Sequence, residues 1–75
     1  MKKWNPQNHE YETYTVPETW NVKQWAFRMD EVINCARCGA EICYGDSYTS
    51  LQIHDALGIG YAVCGDCLHK EADEL

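Results

Sequence analysis

The sequence predicts a small α+β domain that is held together by a bound metal ion. The chain has 75 residues and five cysteines, four of which form two Cys-x-x-Cys pairs, Cys35/Cys38 and Cys64/Cys67. Alternating, strand-like segments lie between the pairs, and a helix-like pattern follows the second pair. Two such pairs are typical of one tetrahedral zinc site with four thiolate ligands. We therefore predict one structural zinc ion (Zn²⁺).

A chain of this length needs a stabilising element beyond its hydrophobic core. Ordering the chain costs about 1.5 kcal/mol per residue, on the order of 100 kcal/mol in total, and apolar burial does little more than offset that cost. A structural zinc ion contributes about 10–16 kcal/mol in finger peptides. We therefore expect the metal-free chain to be unfolded or molten.

Disulfide bonds are the alternative stabilising element, and three features disfavour them. The number of cysteines is odd, their spacing suits a metal, and no apolar run of the kind found in secretion signals follows Met1. No segment approaches the roughly 20 apolar residues of a membrane span. We expect a soluble, reduced protein in the cytoplasm.

The charge of the chain disfavours binding to nucleic acid. The formal net charge is −6, and four thiolates around one zinc ion would add two further negative charges. The cations considered for phosphate contacts are few and scattered: Lys2, Lys3, Lys23, Arg28 and Arg37. Because nucleic-acid binding usually requires a basic patch, a nucleic-acid-binding zinc finger is the alternative function rather than the preferred one.

The first 34 residues divide into a tail and an extension that is expected to pack on the metal-binding domain. Residues 1–9 are polar and show no period, which predicts a mobile tail. The extension spans 10–34. Within it, 10–16 is rich in β-forming residues and stops before Pro17, which predicts a short edge strand.

Residues 18–33 fit two patterns, and both interpretations stay open. A helix would place Val22, Trp25, Ala26, Met29 and Ile33 on one face. A strand would instead place Trp25, Phe27 and Met29 on the same side, and it accounts for Phe27, which the helix leaves off its apolar face. Either way, aromatic side chains are crowded into a short segment.

Residues 35–75 carry the predicted metal-binding domain. Cys35–Gly39 has the spacing of a zinc knuckle, a tight turn whose backbone N–H groups point at the thiolates and whose final glycine allows a positive φ. Ile42 is expected to cover the metal. Alternation over 47–54 and the short apolar run 61–63 predict a hairpin that reverses at 55–60.

The last segment, from Gly65 onward, predicts a helix that begins within the second cysteine pair. Leu68, Ala72 and Leu75 fall on one face, and Asp66 lies where an acid favours a helix start. A helix N-terminus also stabilises negative thiolates.

A zinc knuckle, a hairpin and a helix that carries the second pair resemble the treble-clef family of zinc fingers. The residues that carry this resemblance are Cys35-Ala-Arg-Cys38-Gly39, the hairpin 47–63 and Val63-Cys64-Gly-Asp-Cys67-Leu68. They cover 35–75, a little over half of the chain. Among small members, the chain looks most like zinc-finger proteins of bacteria and their phages, some of which are anti-sigma factors that bind transcription proteins. The resemblance implies a treble-clef fold and a role as a small regulator.

Three further residues, Cys43, His54 and His69, are relevant to whether the chain is an enzyme. Cys43 is expected to be a small buried residue or a free thiol near the metal, and His54 and His69 to be surface or packing residues. One nuclease superfamily carries its catalytic histidines on a treble-clef scaffold, so His54 with Asp55 as base and His69 as metal ligand form an alternative. No acid stands directly before His54, as it would in an Asp-His pair, and no asparagine follows Asn34, which disfavours a His-Asn-His nuclease.

Redox and hydrolytic chemistry at the cysteines are also disfavoured. A site closed by four cysteines leaves zinc no open position for water, and ligated thiols are not free to exchange. We therefore expect no enzymatic activity.

The preferred function is a protein-binding module whose partner has a basic surface, such as a transcription protein or a nuclease. Aromatic residues dominate binding hot spots, although they also form small cores. The candidate partner contacts are three aromatic residues and three acids of the predicted helix: Trp20, Trp25, Tyr61, Asp66, Glu71 and Glu74.

Overall fold

A computed structural model describes residues 1–74, which form two antiparallel sheets and one α-helix. The strands are β1 (Lys2–Asn5), β2 (Glu10–Thr13), β3 (Val32–Asn34), β4 (Glu41–Cys43), β5 (Tyr48–His54) and β6 (Gly60–Val63). A short 3₁₀ turn, Tyr44–Asp46, joins β4 to β5, and the helix α1 spans Gly65–Asp73. The predicted small α+β architecture with a C-terminal helix is confirmed. No helix of the described residues has the length and apolar character that a membrane crossing needs.

The main sheet has the order β2-β1-β5-β6, and β3 pairs with β4 in a second sheet. β2 therefore lies at a sheet edge, as predicted, although it ends at Thr13. Residues 1–9, predicted as a mobile tail, contain β1, which pairs with both β2 and β5. The turn between β1 and β2 is stabilised locally, because the Asn5 side-chain oxygen accepts the N–H groups of Gln7 and Asn8 at 2.9 and 3.3 Å.

Residues 14–31 form neither a helix nor a strand. Both interpretations of 18–33 are therefore wrong, except that β3 begins within that range. The backbone of this segment is bonded to distant parts of the chain: the Lys23 carbonyl accepts the N–H of Ala62 at 2.7 Å, and the Met29 carbonyl accepts the N–H of Gly45 at 2.8 Å. Such long-range partners satisfy backbone groups that a helix would have paired locally.

The predicted hairpin is present as β5 and β6, but a bulge changes which side chains face inward. The pairing register shifts between Thr49 and His54. There the Ser50 hydroxyl oxygen accepts the N–H groups of Gln52 and Ile53 at 3.1 and 2.9 Å. Ser50, Gln52 and Ile53 are all buried, whereas Leu51 is 45% exposed. Strict alternation along β5 would have buried Leu51 and exposed Ser50 and Gln52.

The core lies where the main sheet, the helix and the first cysteine pair meet. Its central cluster consists of Cys35, Ala36, Ile53, Val63 and Cys67, with Ile42 and Leu68 packed against it.

The helix presents Cys67 and Glu71 to this core. Of the predicted face, Leu68 packs against the core, the prediction for the exposed Ala72 is wrong, and Leu75 lies outside the described residues. Residues four apart share a helix face, so directing Cys67 inward brings Glu71 inward with it.

Candidate metal centre

The four cysteines of the two pairs meet in one cluster. The sulfurs of Cys35, Cys38, Cys64 and Cys67 all lie within 4.8 Å of one another, and the Cys38 and Cys64 sulfurs are 3.8 Å apart. Sulfurs placed tetrahedrally at about 2.3 Å from a zinc ion are separated by about 3.8 Å. The cluster can therefore hold one metal ion, as the sequence predicted. Within residues 1–74 neither Cys43 nor a histidine belongs to such a group.

Two structural elements deliver these ligands. Cys35 and Cys38 lie in the turn after β3, while Cys64 is the N-cap residue of α1 and Cys67 lies in its first turn. A helix N-terminus stabilises thiolates through its free N–H groups and dipole. The prediction that the helix begins within the second pair is confirmed.

The ionisation of the four thiols favours the binding of a cation among them. Burial raises the pKa of Cys67 and of Cys38, and the neighbouring thiols raise that of Cys67 further. Burial would also raise the pKa of Cys35, but the backbone N–H groups of Cys38, Cys64 and Arg37 outweigh it and lower the pKa to about 7. Four crowded thiols cannot all ionise without a compensating charge, so metal binding must displace protons from them.

The turn around Cys35 has the geometry of the predicted knuckle. The Cys35 sulfur accepts the N–H groups of Arg37 and Cys38 at 3.4 and 3.5 Å. Gly39 has φ +80°, a conformation that glycine adopts without strain. A Cβ atom at Gly39 would also overlap the Trp20 ring. Glycine is therefore required here by both its backbone angle and its neighbour.

Trp20, expected as a partner contact, packs against the knuckle. Its ring lies over Gly39 and is partly buried, so it supports the metal centre from the extension. Trp20 therefore has an internal structural role.

Two polar residues that sequence reasoning missed also support the knuckle. The Tyr14 hydroxyl donates to the Ala36 carbonyl at 2.9 Å, and the Asn34 amide nitrogen donates to the Gly39 carbonyl at 2.9 Å. Asn34 directly precedes Cys35, and an amide side chain next to a tight turn was a usable signal. Tyr14 gave no such signal, because its contact spans 22 positions.

Arg37, in the middle of the knuckle, connects it to α1. Its guanidinium donates to a Glu74 carboxylate oxygen at 2.9 Å and to the Cys67 carbonyl at 3.4 Å. A Glu71 carboxylate oxygen lies 4.0 Å from the same group. Arg37 is thus occupied by internal acceptors, which removes it from the cations available for phosphate contacts.

Glu71 is 0% exposed. The prediction that it contacts a partner is therefore wrong. Its carboxylate accepts the Ser50 hydroxyl and the Leu51 N–H, both at 2.7 Å. Through these bonds it joins α1 to the bulge of β5. Sequence reasoning missed this role, although the spacing of four residues from Cys67 indicated a shared face.

The other predicted partner contacts are more accessible. Trp25 is 61% exposed and packs edge-on against Phe27, which is 89% exposed, with 4.8 Å between the ring centroids. Tyr61 is half-buried against the core and lines a groove of about 330 Å³ together with these two aromatic residues. Asp66 is exposed in the first turn of α1, and Glu74 is exposed at its C-cap, where its carboxylate is paired with Arg37.

Cys43, His54 and His69 do not belong to the cysteine cluster. Cys43 is a free, exposed cysteine in β4 opposite Val32, so of the two alternatives the buried one is wrong. The His54 ring lies 5.9 Å from that of Tyr11. The exposed His69 lies 3.8 Å from Asp73.

The chain matches no protein-family model, no curated protein and no solved structure. A site with four protein ligands leaves a bound zinc ion no free coordination position, which is the arrangement of structural rather than catalytic zinc.

Proposed function

We propose that this chain is a zinc-stabilised protein-binding module of the treble-clef type. The four-thiolate set is one that structural zinc sites use. The order of knuckle, hairpin and ligand-bearing helix supports the treble-clef assignment. In this proposal the zinc ion stabilises the fold, and the surface of the domain carries the function without catalysis.

The exposed pair of Trp25 and Phe27 carries the protein-binding role. Burying each of these side chains would yield more free energy than burying any small residue, yet they lie 61% and 89% exposed beside each other. The segment that bears them is tied to β6 through the Lys23 carbonyl and the Ala62 N–H. Exposed aromatic side chains that cluster on a segment bonded to the sheet are typical of interaction sites.

The charges support a partner with a basic surface. The net charge is −6, and three of the six cations already face carboxylates: Lys23–Glu31 at 3.8 Å, Arg28–Asp30 at 2.8 Å and Arg37–Glu74 at 2.9 Å. Few cations remain for phosphates, which favours a protein partner over nucleic acid. A small acidic protein can compete with nucleic acid for a basic groove. The proposed role is therefore a regulator or inhibitor of a transcription or nucleic-acid-processing protein.

Metal content tests the zinc part of the proposal. We expect one zinc ion per chain and four thiols protected from a thiol reagent. Cys43→Ser should leave both numbers unchanged, whereas Cys38→Ser should abolish tight zinc binding. A different stoichiometry, or zinc loss on changing Cys43, would show that the ligand set is wrong.

Capture from a cell extract tests the partner part, with the zinc-loaded protein as bait. The double variant Trp25→Ala/Phe27→Ala should lose the captured proteins, whereas Leu57→Ala, which removes another exposed apolar side chain, should retain them. Treating the extract with nuclease should not change the result. Equal capture by the double variant, or loss of capture after nuclease treatment, would contradict a protein partner at this surface.

A further inference from the structure

Strand β2 leaves one edge of the main sheet open. It is the terminal strand in the order β2-β1-β5-β6, and all four of its residues are exposed. Within residues 1–74 no further strand pairs with its outer side. The opposite edge differs, because the Ala62 N–H of β6 donates to the Lys23 carbonyl. An open edge is a template for an added strand.

The register identifies which backbone groups face outward. The N–H of Tyr14 donates to the Met1 carbonyl at 2.9 Å, and Glu12 lies opposite Lys3 in β1. Hydrogen-bonded and non-hydrogen-bonded pairs alternate along an antiparallel ladder. The backbone groups of Glu12 and Glu10 therefore face β1, while the N–H and C=O groups of Tyr11 and Thr13 face outward.

The two faces of β2 differ in chemistry. On one face, the Tyr11 ring lies 5.1 Å from the Trp4 ring and 5.9 Å from the His54 ring. A groove of about 460 Å³ adjoins Tyr11 and His54. On the other face lie the carboxylates of Glu10 and Glu12; one oxygen of Glu12 accepts the side-chain amides of Asn5 and Asn8 at 3.0 and 3.2 Å.

We propose that β2 binds an extended segment of a partner protein in which basic and apolar residues alternate; this rests on the proposed protein-binding function. The segment adds to the sheet through the backbone groups of Tyr11 and Thr13. Directly opposite side chains on adjacent strands interact, so apolar residues lie beside Tyr11 and basic residues beside Glu10 and Glu12.

A second copy of this chain is a poor occupant of the same edge. When Tyr11 pairs with Tyr11 or Thr13 of an antiparallel second β2, a glutamate of one copy lies opposite a glutamate of the other. Like charges in that position destabilise strand pairing. The carboxylates therefore select a partner of opposite charge.

The probe is the capped peptide Lys-Val-Lys-Tyr-Lys-Val-Lys, titrated into the zinc-loaded full chain and followed by NMR. We expect saturable binding, shifts centred on β2, and slower hydrogen exchange of the Tyr11 and Thr13 amides. A peptide of the same composition in blocks, Lys-Lys-Lys-Lys-Val-Tyr-Val, and a peptide with Glu for every Lys should each bind at least about tenfold more weakly.

Two variants separate strand addition from simple charge attraction. Thr13→Pro removes an outward N–H and leaves the bonds to β1 intact, so it should weaken peptide binding about tenfold, whereas Thr13→Val should stay within about twofold. Glu10→Lys should weaken binding about fivefold. Zinc content and tryptophan fluorescence of each variant check that it folds.

Absence of saturable binding, equal binding by Thr13→Pro and Thr13→Val, or shifts centred on Trp25 and Phe27 would overturn the proposal. If Thr13→Pro misfolds, unchanged binding by Glu10→Lys would overturn it instead. These outcomes are distinct from failure of the proposed function, which the capture experiment measures through Trp25 and Phe27.

Discussion

Replacing Glu71 with alanine should remove a large part of the stability of the metal-loaded protein. The side chain is 0% exposed and accepts two hydrogen bonds of 2.7 Å, from the Ser50 hydroxyl and the Leu51 N–H. Arg37 lies 4.0 Å away and has Glu74 as a closer partner. Most of the effect should therefore come from the two hydrogen bonds rather than from the ion pair.

The magnitude follows from what the substitution leaves behind. Each buried donor left without an acceptor costs about 1–3 kcal/mol. Glu71→Ala leaves two such donors, the Ser50 hydroxyl and the Leu51 N–H, so we expect about 2–6 kcal/mol. At roughly 0.05–0.15 kcal/mol per residue, the whole domain has about 4–11 kcal/mol. Glu71→Gln keeps one acceptor oxygen and should cost about 1.5–3 kcal/mol.

Urea unfolding of the zinc-loaded protein, followed by tryptophan fluorescence, measures these differences. Asp73→Asn is the matched control, because it neutralises an exposed acid on the same helix and should change the free energy of unfolding by less than about 0.5 kcal/mol. A double-mutant cycle of Ser50→Ala with Glu71→Gln should give a coupling of about 1–3 kcal/mol. If Glu71→Ala costs no more than Asp73→Asn, or the coupling is near zero, the buried network does not stabilise the fold as reasoned.

Three further predictions concern the metal, the knuckle and one loop acid. A chelator should abolish the near-UV circular dichroism, and one equivalent of zinc should restore it; an unchanged spectrum after metal removal would contradict a structural metal. Gly39→Ala should weaken zinc binding in competition with a chromophoric chelator, because Cβ would overlap the Trp20 ring and the positive φ would be strained, whereas the exposed Ala40→Gly should bind as wild type does. The Gln24 side chain and the N–H groups of Ile59 and Leu57 hold the pKa of Asp55 below its usual range. The ionised form is therefore favoured in the folded state, and its stabilising effect is present above the unfolded pKa of about 3.9 and lost as the pH falls through the lower folded value. An NMR titration of the Asp55 carboxyl carbon should show this lower midpoint, and Gln24→Ala should raise it; a midpoint that Gln24→Ala leaves unchanged would contradict the assigned cause.

The candidate metal site was largely predictable because its signals are local. The spacing within each cysteine pair and the glycine after Cys38 indicated the knuckle, and the structure brings all four sulfurs together. The hairpin and the helix start at Cys64 were predictable for the same reason, since alternation, turn residues and an acid at a helix start act over a few positions.

The supports of that site were not predictable in the same way. Trp20 reaches Gly39 across the chain, and Glu71 joins α1 to a bulge that Ser50 creates. No short pattern in the sequence encodes such a contact, because its stabilising effect depends on where a distant segment passes.

By itself the sequence determined the small α+β architecture, the four-cysteine cluster and the elements that deliver its ligands. The tertiary structure alone decided that 14–31 would be irregular, that Lys2–Asn5 would form a strand, and that Glu71 would lie inside while Trp25 stayed outside. The physical reason is the range of the interactions. Turn, capping and metal-spacing preferences act between neighbours, whereas burial and backbone pairing with a distant segment depend on the whole fold.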